Sequence, residues 1–230
     1  TKYCVSLNSG TDALVLALHL LGVKRGDEVI TPPNSFIAST AVITHLGAKP
    51  VFVDVKSDQS IDENKIEEKI TKKTKAIMPV HLTGRMCSMD KIIKISKKYK
   101  IPVIEDCAQS IMSKYKGKMS GAWGDVGCFS AHPLKNLNAI GDAGYLTTNN
   151  EYIYKKIKSL RTHGMDESRD NVKNFGYVSR MDNLQAGVLN FRIKNLKKII
   201  EIRRNNANLY LKNLNLNHVY FPMEKKDEFN

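Results

Sequence analysis

Three short stretches of this 230-residue sequence end apolar runs on side chains able to do chemistry. Ser9-Gly10-Thr11-Asp12 stands between a strand-like run and a helix-like one. Free backbone N–H groups there, with the Thr11 hydroxyl, would form an anion seat that the helix dipole favours. Ile104-Glu105-Asp106-Cys107-Ala108-Gln109 ends an apolar run on two acids. Strand alternation sends one inward and the other away. A buried carboxylate needs a cationic partner, a protonated pyridine nitrogen being one such group. Cys128-Phe129-Ser130-Ala131-His132-Pro133-Leu134-Lys135 delivers a hydroxyl and then a lysine ahead of the Gly141-Asp142-Ala143-Gly144 turn. Lysine is the side chain that forms an imine with an aldehyde. With a free pKa near ~10.4 it is mostly charged, so a site must supply the neutral amine or hold it as the imine. Alone, each stretch has an ordinary explanation: a helix cap with a turn glycine, a solvent-facing acid pair, one more surface lysine.

The elements that must position these groups alternate in apolar period between strand-like and helix-like, which predicts an α/β fold around a largely parallel sheet. Seven strands are expected at Tyr3 to Ser6, Glu28 to Thr31, Pro50 to Val55, Ala76 to His81, Pro102 to Glu105, Val126 to Ser130 and Gly144 to Thr147. Helices are expected at Thr11 to Leu21, capped by Ser9 and stopped by Gly22, and at Phe36 to Leu46, Asp62 to Ile70, Ser88 to Tyr99 and Glu151 to Leu160. One long amphipathic helix is expected from Asp182 to about Ile202. Helices dominate beyond Leu184, which places a domain division between 1–183 and 184–230, the latter opening a smaller C-terminal domain. In an open parallel sheet, ligands bind beyond the carboxyl ends of the strands, where all three reactive stretches fall.

Lys and Arg number 36 against 23 Asp and Glu, a formal charge of +13. The lysines are spread over amphipathic helices without interleaved aromatics, which argues for a solvated surface and against a nucleic-acid binder. A positive field also suits an anionic small substrate. The four cysteines show neither disulfide nor metal spacing and fit a reducing cytoplasm. No run of about 18 apolar residues exists to span a membrane. Thr1-Lys2-Tyr3 and the charged stretch from Glu224 to Asn230 both read as cut ends of an internal fragment.

The order of motifs resembles the DegT/DnrJ/StrS family of sugar aminotransferases, fold-type I pyridoxal-phosphate enzymes. The resemblance rests on Asn8-Ser9-Gly10-Thr11-Asp12-Ala13-Leu14, the Pro32-Pro33-Asn34-Ser35-Phe36 loop, Pro79-Val80-His81-Leu82-Thr83-Gly84, Glu105-Asp106-Cys107-Ala108-Gln109, the segment from Phe129 to Lys135, and Ser179-Arg180-Met181-Asp182-Asn183-Leu184-Gln185-Ala186. It runs from about Ser6 to about Leu196.

The resemblance implies a role for each matching residue. Lys135 corresponds to the Schiff-base lysine that also moves the substrate proton, and Asp106 to the acid paired with the pyridine nitrogen. Gln109 corresponds to the residue beside the cofactor's phenolic oxygen, and Phe36 to the aromatic stacked on its ring. Gly10, Thr11, Asp12 and Ser130 correspond to the phosphate seat. His163 and Arg180 match recurrent family positions and are expected near substrate; His81 and His132 are expected to be structural. The implied reaction is transamination of a nucleotide-linked keto-sugar with glutamate as amino donor, in a cytoplasmic homodimer with a shared site and no metal. Two rivals are a sugar dehydratase of the same family, whose members carry His in place of the lysine, and a non-catalytic regulatory homologue. One departure stands out: Val178 occupies the position where the family commonly has an Asn that reaches the neighbouring subunit's phosphate.

Overall fold

The computed structural model describes residues 1–215 and 217–230. Strands β1 (Tyr3–Leu7), β9 (Gly144–Thr148), β8 (Val126–Ser130) and β5 (Ile104–Asp106) form one run, and β3 (Lys49–Phe52), β2 (Glu28–Thr31) and β4 (Thr74–Ile77) another. Parallel bridges from Ile77 to Val103 and from Val80 to Asp106 join β4 to β5. The result is the expected seven-stranded sheet in the order β1-β9-β8-β5-β4-β2-β3. Only β9 runs against its neighbours, pairing antiparallel with both β1 and β8.

Alternation along the strands builds a core on each face of the sheet. Val29, Ala76 and Ile104 pack toward α1 (Gly10–Leu20), α2 (Ile37–His45) and α4 (Glu151–Leu160), through Leu14, Leu18, Val42, Ile153 and Ile157. Their neighbours Ile30, Ile77 and Val103 pack toward Ile92 and Ile95 of α3 (Met89–Tyr99) on the opposite face. This period of two is what carries consecutive acids to opposite sides of the sheet.

α1 begins on a Ser9 cap whose Oγ accepts the Asp12 N–H at 3.0 Å, and Gly22 follows its end at φ +78°. Gly144 makes a close approach at the same place. A Cβ there would lie 2.2 Å from the Ser9 carbonyl carbon, and one on Gly10 would lie 2.7 Å from Ser130 Cβ. Backbone thus packs directly on backbone where α1, β8 and β9 meet, and this sets the height of the α1 N-terminus above the sheet.

Three local expectations are corrected. Residues 62–70 form two short 3₁₀ turns, Glu63–Lys65 and Glu67–Lys69, instead of an α-helix. Asp62 Oδ1 accepts the Asn64 N–H, and Glu63 turns inward to pair with Lys56 and Lys91, contacts that compete with a regular helix. The long helix is two: α5 (Asn183–Arg192) and α6 (Leu196–Asn213), separated by a 3₁₀ turn at Ile193–Asn195 where Asn195 has ψ 2°. A hairpin of β6 (Lys114–Tyr115) and β7 (Lys118–Met119), extended by β10 (Glu228–Phe229), is additional. Its strands are too short for the period of two to register.

Leu189 of α5 and Leu196 and Ile200 of α6 bury against Ala131, Leu137, Ala139 and Ala143, so both helices brace the loop that carries Lys135. All four cysteines are unpaired. Among the described residues, no helix is long and apolar enough to cross a membrane.

Candidate functional site

The carboxyl ends of β5 and β8 and the N-termini of α1 and α2 enclose a pocket of about 530 Å³. Gly10, Thr11, Phe36, Asp106, Gln109, Ser130 and Lys135 all line it. An adjoining pocket of about 350 Å³ shares Gln109, Ser130 and Lys135 as a common wall. Residues up to 125 positions apart in sequence, from Gly10 to Lys135, therefore converge because five separate connections open on one edge of the sheet.

Asp106 is 5% exposed and lies on the α1–α2 side of the sheet. Its Oδ2 accepts the Ser39 hydroxyl at 2.7 Å and its Oδ1 the Ala108 N–H at 3.1 Å. Burial pushes this carboxyl above its ordinary value, and those bonds, with the charge of Lys135, offset only part of the rise. Among the described residues Asp106 makes no ion pair. Ser39 was not anticipated; its one signal is that it follows Phe36 by three residues and so shares a helical face with it.

Glu105 is fully buried on the other side. Its Oε1 accepts the N–H groups of Trp123 and Gly124, both at 2.7 Å, and its Oε2 accepts Gly121 N–H and faces His81 Nε2, both at 3.0 Å. His81 Nδ1 accepts the Cys87 N–H at 3.3 Å, so the imidazole proton sits on Nε2 and points at Glu105. Ligand atoms of His81, Glu105 and Cys107 lie within 4.8 Å of one another. The hydrogen bonds to Glu105 and His81 nevertheless engage both carboxylate oxygens and both ring nitrogens.

At the α1 end the Asp12 N–H is taken by the Ser9 cap, and Asp12 does not line the pocket. The N–H groups of Gly10 and Thr11 have no acceptor among the described residues. Ser130 Oγ accepts the His132 N–H at 3.3 Å, and the Lys135 N–H bonds to the His132 carbonyl at 2.8 Å, closing the turn that carries the lysine. His81 and His132 line the pocket as well. Phe36 is 71% exposed at the mouth and leaves a ring face open. Gln109 Oε1 accepts the Thr83 N–H at 2.6 Å.

His163 and Arg180 lie outside this pocket. His163, at φ +59°, donates its N–H to Tyr177 O at 2.9 Å. Arg180 is exposed and follows Ser179, which is buried and whose hydroxyl meets Asn8 Oδ1 at 3.3 Å. The segment therefore lies beside the β1–α1 connection. Val178 bridges to Thr162 and is 57% exposed.

Known proteins share this arrangement of fold and sequence. The chain is 42% identical over 228 residues to the dTDP-3-amino-3,6-dideoxy-alpha-D-galactopyranose transaminase of Aneurinibacillus thermoaerophilus, a match covering 99% of this chain and 62% of that one. It is 41% identical over 210 residues to the pleiotropic regulatory protein of Geobacillus stearothermophilus, covering 91% and 56% respectively. Among solved structures, S. venezuelae DesV superposes with a TM-score of 0.93 at 34% identity, over 100% of this chain and 62% of that one. The Bacillus subtilis protein NtdA with bound cofactor PMP superposes with a TM-score of 0.85 at 39% identity, over 92% and 48%. The chain thus spans less than two thirds of these relatives. The family model described as the DegT/DnrJ/EryC1/StrS aminotransferase family matches residues 1–230, and the chain belongs to that family.

Proposed function

We propose that the full-length protein binds pyridoxal 5′-phosphate and transfers an amino group from a donor, glutamate in this reading, to a keto-sugar carried on a nucleoside diphosphate. The observation that carries this reading is Asp106, a buried carboxylate lining the pocket with no ion-pair partner among the described residues. A protonated ring nitrogen is a cation of the required kind, and charge pairing with it would relieve the cost of burial. The remaining residues fit the same group. The N–H groups of Gly10 and Thr11, without acceptors among the described residues, suit a phosphate at the start of α1 together with the hydroxyls of Thr11 and Ser130. Phe36 offers a ring face, and Lys135 an amine on the same wall as Gln109.

When bound, the cofactor supplies a carbon electrophilic toward amines and a ring that takes up the electron pair freed at a substrate carbon. The protein's own residues do the rest. Asp106 would hold a proton at the ring nitrogen, Lys135 Nζ would carry the proton between the substrate carbon and the cofactor, and Gln109 would steady an anionic oxygen. His163 and Arg180, outside the pocket of their own chain, would meet the anionic substrate only where the homodimer brings the two subunits together. Lys135 stands where a dehydratase of this family carries His, which favours transamination.

A homodimer with isologous contacts completes the site in this reading. Phe36 and Leu134, 71% and 83% exposed, flank the pocket mouth and would be covered by such a partner. The unpaired cysteines fit a cytoplasmic enzyme in this reading.

A second reading, a regulatory homologue without turnover, is favoured by the name of the Geobacillus stearothermophilus relative. One experiment separates the two. Full-length protein, loaded with cofactor, is screened with glutamate against nucleotide-linked keto-sugars while 2-oxoglutarate is measured. Amino-sugar formation supports the proposal; cofactor binding without transfer to any keto-sugar would leave the regulatory reading.

A further inference from the structure

Gln109 reaches the common wall of both pockets, and one backbone group determines which end of its amide faces them. That group is the N–H of Thr83, 2.6 Å from Gln109 Oε1. A backbone N–H can only donate, so the atom it meets is the carbonyl oxygen of the amide. The NH₂ end, with two donors and no acceptors, is left without a protein acceptor among the described residues.

Thr83 pays a conformational penalty to be there. Its backbone lies at φ +56°, ψ 16°, the left-handed region that a β-branched residue strongly disfavours. Gly84 follows at φ +97°, where a Cβ would stand 3.5 Å from the Gln109 carbonyl oxygen. The Thr83 hydroxyl donates to the Leu82 carbonyl at 2.7 Å, a local bond that helps hold the turn. Strained, over-determined residues of this kind gather at functional sites. The Leu82–Gly84 turn leaves the carboxyl side of β4 beside β5, where the sheet opens into the pocket.

We propose that Thr83 is a positioning residue: its left-handed backbone presents the N–H that fixes Gln109 with its NH₂ group toward the site, making Gln109 an obligate hydrogen-bond donor to an anionic ligand oxygen. Identifying that oxygen with the cofactor's rests on the function proposed above; the anchoring of Gln109 does not.

Two measurements on the full-length protein test the two parts separately. In cofactor-free protein, amide hydrogen exchange at Thr83 reads the anchor. Gln109→Ala should raise the exchange rate by about tenfold or more, as loss of a protecting acceptor does. An unchanged rate overturns the anchoring whatever the pocket binds. Equilibrium dialysis with pyridoxal phosphate reads the donor. Gln109→Glu retains an oxygen for the Thr83 N–H but turns a carboxylate oxygen to the site. It should bind the cofactor about tenfold more weakly than Gln109→Ala, because a donor has become a like charge. Gln109→Glu binding as tightly as wild type would overturn the donor assignment. Wild-type protein that bound no cofactor would overturn both the proposed function and the donor's identified ligand, while exchange at Thr83 still decided the anchor.

Discussion

Glu105 and Asp106 are adjacent on β5, yet their carboxylates are held in opposite environments. Glu105 is enclosed by three backbone N–H groups and the His81 imidazole on the α3 face of the sheet. Asp106 has one hydroxyl and one N–H, and lines a pocket on the α1–α2 face. The first carboxylate has its hydrogen-bonding demand met by the fold. The second retains a demand for positive charge that the fold alone does not meet. Strand geometry gives each acid its side, and the loops on that side determine what it can do.

Substitutions should separate these two acids. Asp106→Asn keeps size and both hydrogen-bonded neighbours but removes the charge. Amino transfer should fall by about 10²-fold or more, as when a key electrostatic stabiliser is lost, with the folded protein retained. Glu105→Gln converts an acceptor of four bonds into a group that must turn an NH₂ toward donors. Unpaired buried donors cost about 1–3 kcal/mol each, so the melting temperature should drop first. Steady-state kinetics alongside thermal denaturation checks both. An active Asp106→Asn with an inactive but stable Glu105→Gln would reverse the assignment.

Asp106 also predicts a pH signature in cofactor-free protein. Its folded-state pKa is raised by burial. A group raised in the folded state adds stability below its unfolded value, and that contribution is lost as pH rises through the folded value. At neutral pH the wild-type apoprotein therefore carries an unfavourable buried charge that Asp106→Asn does not. The variant should melt higher than wild type at pH 7. The gap should close in acid, below about pH 4, where both folded and unfolded Asp106 are protonated. Melting curves from pH 3.5 to 8 would check this (roughly the span across the ordinary Asp value). A gap independent of pH would mean that Asp106 is not the titrating group.

The sheet and the convergence of the pocket were legible from the chain because both follow from local periodicity. Val29/Ile30 and Ala76/Ile77 alternate cleanly between the two cores, and a parallel sheet presents every strand-to-helix connection on one edge. What escaped depends on particular long-range partners. Nothing local announces that Ser39 will meet Asp106 or that Thr83 adopts a left-handed backbone. Residues 62–70 looked helical because Ile66 and Ile70 recur at helical spacing, but the inward pull of Lys56 and Lys91 on Glu63 belongs to the tertiary structure. His163 and Arg180 came from resemblance alone, and one chain does not bring them to the pocket.

Gly144 tests the mechanical side of the site. A Cβ there would stand 2.2 Å from the Ser9 carbonyl carbon and 2.5 Å from Gly10 N. Both obstacles are backbone, so no side chain can swing aside. Gly144→Ala should lose about 1–3 kcal/mol, the usual cost of overpacking. It should also lift the start of α1 and weaken phosphate-group binding. Gly187, whose added Cβ meets nothing within 4 Å, is the control: Gly187→Ala should leave both properties unchanged or slightly improve helix stability. Chemical denaturation and dialysis with pyridoxal phosphate would read the two effects.

Lys135 carries the sharpest prediction because two of its proposed duties can be separated. It follows a turn closed by its own N–H on the His132 carbonyl and lies in a loop braced by Leu137 and Ala139 against α5 and α6. Its side chain should therefore be presented reproducibly to the pocket it shares with Asp106. Reduction of the loaded full-length protein with borohydride should leave a pyridoxyl label on the peptide containing Lys135. Lys135→Arg keeps the positive charge and much of the length but cannot serve as the amine or release a proton at neutral pH. Cofactor should still bind through the phosphate seat and Asp106, so dialysis should detect it, while the reducible link disappears. Catalysis should fall further than loss of that link alone requires, since a positioned proton shuttle contributes about 10²–10⁴-fold. Supplying a small primary amine should then restore part of the rate by acting as a diffusible base. A label on another lysine would remove Lys135 from the covalent role, and full activity in Lys135→Arg would remove it from the proton transfer as well.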